Sequence, residues 1–345
     1  MDEGLTMLFG AIRWDAYYGN ANSGISAETA RCLSAATARS RAPLHADITR
    51  PRVTYSPTVA TMEAEITAAK NGGLAYWAFL RYASGSEMNN AFDLYQSASN
   101  KTDVKYCWIV TTSTMGSTGN YASQVAEVVT RMQDAHWQKV GSNRPLLYVS
   151  YDTGGLSANW GNNAANFKVA LDAIRTQAQA AGLGDPYIAV LVWSQAVATV
   201  VTATGADAAT NYISFNRRIK VAAPASDLRA DVESYWTTLA AGASQVVPIL
   251  QAGWDPRPIM ERPMQWYQLP TAMGKEVYFV RPTASEFAAH CQAAKDWMAA
   301  RPAVCPYQTA LIYAWNEHLE GGWLAPTKGD PTGTLLSQTA PIIGS

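Results

Sequence analysis

Residues 309–323 read TALIYAWNEHLEGGW. The first seven, Thr309 to Trp315, form an apolar run suited to a strand covered on both faces, as parallel strands are. The next eight differ in kind: Asn316, Glu317, His318 and Glu320 fall within five positions, followed by Gly321, Gly322 and Trp323. Buried carboxylates are costly unless they are paired or put to use. A buried strand that runs straight into carboxylates is what the C-terminal rim of an α/β barrel presents, because that rim carries the chemistry of such folds.

Seven further apolar runs precede it: TMLFGAIRW (6–14), GLAYWAFLRY (73–82), VKYCWIVTT (104–112), RPLLYVSY (144–151), PYIAVLVWS (186–194), NYISFNR (211–217) and QVVPILQAGW (245–254). Between them lie Ala-rich stretches with one apolar face, such as SPTVATMEAEITAAKNGG (56–73), which opens on Ser-Pro and stops at paired glycines. Eight strands alternating with helices, with no linker, make a single (β/α)8 TIM barrel over residues 1–345. A doubly wound open sheet is the alternative. It calls for a Gly-rich phosphate turn after an early strand, and GGLAYW and DTGGLSANW lack the GxGxxG spacing.

Composition narrows the function. With 345 residues, 48% hydrophobic and 15% charged, the chain can bury a large core. A net charge of −1 offers no electrostatic footprint for nucleic acid, and no apolar run reaches the roughly 20 residues of a membrane span. Twelve Trp and seventeen Tyr are the unusual feature; many fill a core, while those at strand ends suit the C–H faces of sugars. Cys32, Cys107, Cys291 and Cys305 show no CxxC pair, so zinc is not expected; Cys291 and Cys305 are candidates for a disulfide that spacing alone does not establish. No metal and no diffusible cofactor is expected. The start, MDEGLTMLFGAIRW, has no basic region or cleavage site; Met1 is read as standing where an export signal was removed, which favours a periplasmic or secreted location and leaves compartment open. The sequence is silent on oligomeric state.

The residues at the strand ends are candidates for a sugar-binding cleft: Trp14, Asp15 and Tyr17 after the first strand, Arg81 and Tyr82 after the second, Trp193 after the fifth, Asn216 after the sixth, Trp254, Asp255 and Arg257 after the seventh, and Asn316, His318 and Trp323 after the eighth. Salt bridges along the rim are the structural alternative for any one of them. Glu317 and Glu320 are the catalytic candidates. A turn of helix or a tight loop brings residues three apart to one side, and two carboxyls about 5 Å apart do not both ionise easily. One is then basic and the other acidic at neutral pH, the division of labour a retaining glycosidase needs. An ExxE spacing alone is common, and helix capping or pairing with an arginine is its structural reading. His318 lacks the further ligands of a metal site, and no GxSxG nucleophile elbow occurs.

WNEHLEGGWLAPT (315–327) is similar to the WNEWxEG…xxP signature of family 99 glycoside hydrolases and of the family-99-like barrel domains encoded in bacterial surface-polysaccharide gene clusters. GWDPRP (253–258), GAIRWDAYYG (10–19) and AKNGGLAYWAFLRY (69–82) resemble further segments of those relatives, in the expected order along nearly the whole chain. The resemblance implies a (β/α)8 barrel that cleaves an α-linked glycan with retention. It further implies that Glu317 deprotonates the sugar's own 2-hydroxyl to form a 1,2-anhydro intermediate and that Glu320 is the general acid/base. The relatives that define the activity are endo-α-1,2-mannosidases. His318 stands where a Trp is usual, which leaves the sugar open. Two rivals remain: a glycan-binding or polysaccharide-assembly protein on the same barrel, and a retaining hydrolase with Glu317 as direct nucleophile and Asp152 or Asp255 as acid. In each case the partner is an oligo- or polysaccharide.

Overall fold

The computed structural model describes residues 7–193, 196–214, 222–267 and 277–344. The strands of the barrel are β1 (Leu8–Arg13), β2 (Tyr76–Leu80), β3 (Lys105–Thr111), β4 (Arg144–Ser150), β5 (Tyr187–Leu191), β6 (Ala208–Thr210), β7 (Ile249–Gln251) and β8 (Thr309–Tyr313). All pair in parallel, in the order β7-β8-β1-β2-β3-β4-β5-β6. An isolated parallel bridge between Ala209 and Val246 joins the two ends, so the sheet closes on itself. The first and last strands are neighbours, Leu8 opposite Thr309 and Ala11 opposite Ile312. That adjacency sets the end of β1 beside the NEHLE segment.

Around the strands lie α1 (Gly24–Leu33), α2 (Val59–Asn71), α3 (Asn90–Ser97), α4 (Ala122–Met132), α5 (Thr153–Trp160) and α6 (Ala164–Ala180). The second half adds α7 (Val197–Thr204), α8 (Ala225–Gly242), α9 (Arg257–Glu261), α10 (Ala284–Ala299) and α11 (Thr334–Ile343). The sequence signals for α2 hold because Thr58 and Thr61 form a reciprocal cap at its start. Thr283 and Glu286 do the same for α10. The DTGGLSANW segment is the helix α5, with the Asp152 carboxylate accepting from the Gly155 amide as its N-cap.

One strand is misplaced by the sequence reading. The sixth run, 211–217, begins after β6 has ended, and its last three residues lie outside the described segments. The true strand, Ala-Ala-Thr, is fully buried on both sides and built from small side chains, so it lacks the bulky apolar signature of its neighbours. The aromatic excess is largely core: Trp77, Trp108, Trp137, Trp160, Trp236 and Trp315 are all fully buried. The four cysteines are buried free thiols, so the disulfide that the Cys291–Cys305 spacing allowed is not formed. Among the described residues no helix is long and apolar enough to cross a membrane.

Candidate active site at the end of the eighth strand

The segment after β8 folds as a tight antiparallel hairpin, not a helical turn: Asn316 pairs with Trp323 and Glu317 with Gly322. Glu317 and Glu320 therefore sit on either side of one short reversal. The hairpin is held against the barrel by the Trp315 amide donating to the Ile12 carbonyl at 2.7 Å and by the Ala314 amide donating to the Gly322 carbonyl at 2.8 Å. Its glycines serve a close contact. Gly321, at φ +83°, brings its backbone against Asp255, where a Cβ would lie 2.4 Å from the Asp255 amide nitrogen. Gly253 makes the reciprocal approach to the Gly321 carbonyl. The Asp255 amide then donates to the Glu320 carbonyl at 2.5 Å, which locks the GWD segment onto the EGG segment.

Glu317 is buried, and its Oε1 accepts from the Tyr212 hydroxyl at 2.7 Å. Burial, and then the nearby charge of Glu320, hold its carboxyl well above the ordinary carboxylate range, while the Tyr212 bond works the other way. Glu320 is partly exposed and accepts a short hydrogen bond from the Tyr313 hydroxyl. The two carboxylates thus interact electrostatically, each with its own phenol donor.

Beneath Glu317 the backbone is set by a buried ion-pair cluster. The Asn316 side chain donates through Nδ2 to Asp15 Oδ1 at 2.8 Å, and its Oδ1 accepts from the Trp14 backbone amide at 2.9 Å. Arg13, fully buried, donates to Asp15 through Nε at 3.0 Å and Nη2 at 2.9 Å, and to Glu65 of α2 at 3.0 Å. Trp315 Nε1 also donates to Glu65, at 2.9 Å. Asp15 is thereby committed to Arg13 and Asn316.

The other candidates divide into three places. Trp14, Tyr17, Tyr82 and His318 join the Glu317 cluster. Trp14 is half-buried with Nε1 donating to the Tyr82 hydroxyl at 3.1 Å, and the Tyr17 ring stands edge-on to Trp14 and to His318 at centroid distances of 5.9 and 4.9 Å. Burial and the flanking His45 and arginines push the His318 imidazole well below its ordinary value, so it is neutral. Trp193 is 39% exposed and stacks on Tyr212 at 5.5 Å, placing an open aromatic face one residue away from Glu317. Trp254, Asp255, Arg257 and Trp323 line a separate cleft of about 510 Å³ beside Gly321. Arg81 stands apart from the glutamates, paired with Glu127 and lying over Trp108 in a cleft of about 410 Å³ that Tyr82 also lines. Asn216 lies outside the described residues.

Neither carboxylate offered as an alternative acid is poised for that role. Asp255 is clamped by Arg257 at 2.7 and 2.6 Å and by Arg41; although burial opposes its charge, these arginines hold it below the usual carboxylate range. Asp152 is spent on capping α5 and on the Thr112 hydroxyl. Sequence reasoning missed Tyr212 and Tyr313, the two phenol donors, and Glu65, Arg41 and Arg281. Tyr313 reads as one more apolar strand residue, and Tyr212 was hidden by the misplaced sixth strand. No local signal marks the three charged residues.

No protein-family model and no curated protein matches this sequence. Solved structures do match in fold. A GH99 endo-alpha-mannosidase from Bacteroides thetaiotaomicron superposes with a TM-score of 0.61 at 14% identity, covering 98% of this chain and 97% of that one. The same enzyme in complex with BIS-TRIS-propane gives 0.62 at 13% identity and the same coverage. A glycoside hydrolase-like protein gives 0.58 at 14% identity, covering 95% of this chain and 89% of that one. The fold of the whole chain is the barrel these structures share.

Proposed function

We propose that the protein is a retaining glycoside hydrolase acting on an α-linked oligo- or polysaccharide, with Glu317 and Glu320 as its catalytic pair. The carrying observation is the hairpin after β8, which seats a buried Glu317 close enough to Glu320 for each charge to be felt by the other. A pure binding surface gains nothing from that costly arrangement. Likeness of fold to GH99 endo-alpha-mannosidases supports the same reading at the level of enzyme class.

In the proposed reaction, ionised Glu317 takes the proton of the sugar's 2-hydroxyl as that oxygen attacks C1 from the face opposite the leaving group. Glu320 gives its proton to the departing glycosidic oxygen. Glu320 then takes a proton from water, whose oxygen opens the 1,2-anhydro ring at C1 while Glu317 returns a proton to O2; two inversions leave the configuration retained. A hydroxyl is a weak acid, so a carboxylate of raised basicity is the better match to it. The Tyr212 hydrogen bond favours the ionised form of Glu317, against burial and the charge of Glu320.

The test is a screen of α-linked bacterial and yeast polysaccharides with product analysis, run beside Glu317→Gln and Glu320→Gln. Loss of turnover in both, with folding intact, supports the proposal. Undiminished hydrolysis in both variants defeats it, and tight glycan binding without turnover by the wild type favours a glycan-binding barrel.

A further inference from the structure

The cleft beside Gly321 is lined by three arginines from three separate segments: Arg41, Arg257 and Arg281. Their carboxylate partners do not match them. Asp255 alone is shared by Arg41 and Arg257. Asp330, the other acidic residue in the lining, accepts from the Thr334 amide at 2.8 Å and from the Thr332 and Thr334 hydroxyls at 3.0 and 2.8 Å, and forms no ion pair with any of the three arginines. Glu261, nearby on α9, accepts from the Thr37 hydroxyl. Arg281 has no ion-pair partner among the described residues. It donates to the Trp323 carbonyl at 2.9 Å and to the Gly321 carbonyl at 3.5 Å and sits over the Trp323 indole, 3.8 Å from the ring centroid, while Arg41 sits 5.5 Å from the same ring.

A half-buried guanidinium held over an indole, beside two others that share one carboxylate, is an expensive arrangement unless a further anion enters. Burial brings Arg281 down to about 10, with Asp330 acting in the opposite sense and Arg41 adding to the fall, so an incoming negative charge restores what burial took away. The guanidinium fork suits a planar, bidentate oxyanion such as a carboxylate. The volume of about 510 Å³ falls within the roughly 300–1,000 Å³ of ordinary ligand sites. Trp254 and Trp323 belong to the same lining, both largely buried, and Gly321 adjoins Glu320.

We propose that this cleft is a subsite for an acidic sugar of the substrate glycan, whose carboxylate is received by Arg281 between Arg41 and Arg257. The inference rests on the glycosidase reading and names a substrate class for it, namely glycans that carry a uronic acid or a similarly carboxylated unit.

The experiment measures binding by tryptophan fluorescence titration, with glucuronate, its methyl ester, glucose and inorganic phosphate as probes. The protein is tested as wild type, Arg281→Gln and Arg281→Lys. Saturable glucuronate binding is expected that weakens with added salt, is at least about 10-fold weaker for the ester and for glucose, and falls about 10-fold or more in Arg281→Gln with partial recovery in Arg281→Lys. This readout is binding by the wild type, so it stands even if no hydrolysis is ever found. Equal binding of glucuronate and its ester overturns the proposal in the wild type alone, whether or not the Arg281 variants fold. Phosphate binding as tight as glucuronate overturns it as a sugar subsite, and unchanged binding in Arg281→Gln overturns the assignment of Arg281.

Discussion

The Tyr212 hydroxyl donates to Glu317 at 2.7 Å, joining a residue just past β6 to one just past β8 across the mouth of the barrel. Burial and Glu320 raise the affinity of Glu317 for a proton, and this bond lowers it. Removing the donor therefore moves the titration in a known direction. In Tyr212→Phe, the limb of the kcat/KM profile that reports Glu317 shifts to higher pH. Hydrogen bonds to charged groups are worth about 1.5–3 kcal/mol, so a shift of about 1–2 pH units is expected. A profile that does not move would remove Glu317 from the rate law.

Glu317 also makes a prediction about stability. Its folded-state carboxyl prefers the proton more than the unfolded one does, so the associated stability is present at low pH and is lost as pH rises through the raised value. Glu317→Gln cannot titrate. Its melting temperature should exceed that of the wild type at neutral pH, and the gap should close towards pH 4. A variant less stable than wild type throughout would contradict the electrostatic account.

Replacing Glu320 with Gln removes the proposed proton donor, and general acid catalysis is worth about 10²–10⁴ in rate. The loss should be smaller for substrates with a leaving group able to depart unprotonated. Activated 2-fluoro glycosides separate the two roles left for Glu317. They lack the hydroxyl that the 1,2-anhydro route requires, so no turnover and no covalent adduct are expected. A glycosyl adduct on Glu317, seen by mass spectrometry, would replace the base with a direct nucleophile and keep the enzyme class.

Asp15 should behave as a structural residue. It is nearly inaccessible and holds both Arg13 and Asn316. Breaking a buried pair by removing one partner costs about 3–5 kcal/mol, so Asp15→Ala should show that loss in urea unfolding. Near-normal stability with a selectively raised KM would make it a sugar anchor instead.

Trp193 and Trp254 should part ways. Trp193 offers an exposed face stacked on Tyr212, so Trp193→Ala should raise KM several-fold, as expected for losing a ring contact worth about 0.5–1.5 kcal/mol, with little change in melting. Trp254 is almost wholly buried, so Trp254→Ala should also destabilise by about 3–5 kcal/mol. Calorimetry of the two variants separates platform from packing.

The barrel was readable from the sequence because parallel strands covered on both faces leave long apolar runs, and these recur between amphipathic helices. Seven of the eight runs coincide with strands because bulky side chains carry the signal, and the Ala-rich β6 escaped for lack of them. The Glu317–Glu320 pair was legible too, since charge at the end of a buried strand is a local anomaly. What lies across the barrel mouth was not legible. Tyr212 meets Glu317 across a sequence separation of 105, and Arg13 pairs with both Asp15 and Glu65 between the end of β1 and α2. Whether a rim carboxylate is free or already paired depends on which strands become neighbours when the sheet closes. Pattern along the chain specifies that a sheet forms and where its strands fall, but the partner of a side chain is fixed by distance in space, which only the closed barrel sets.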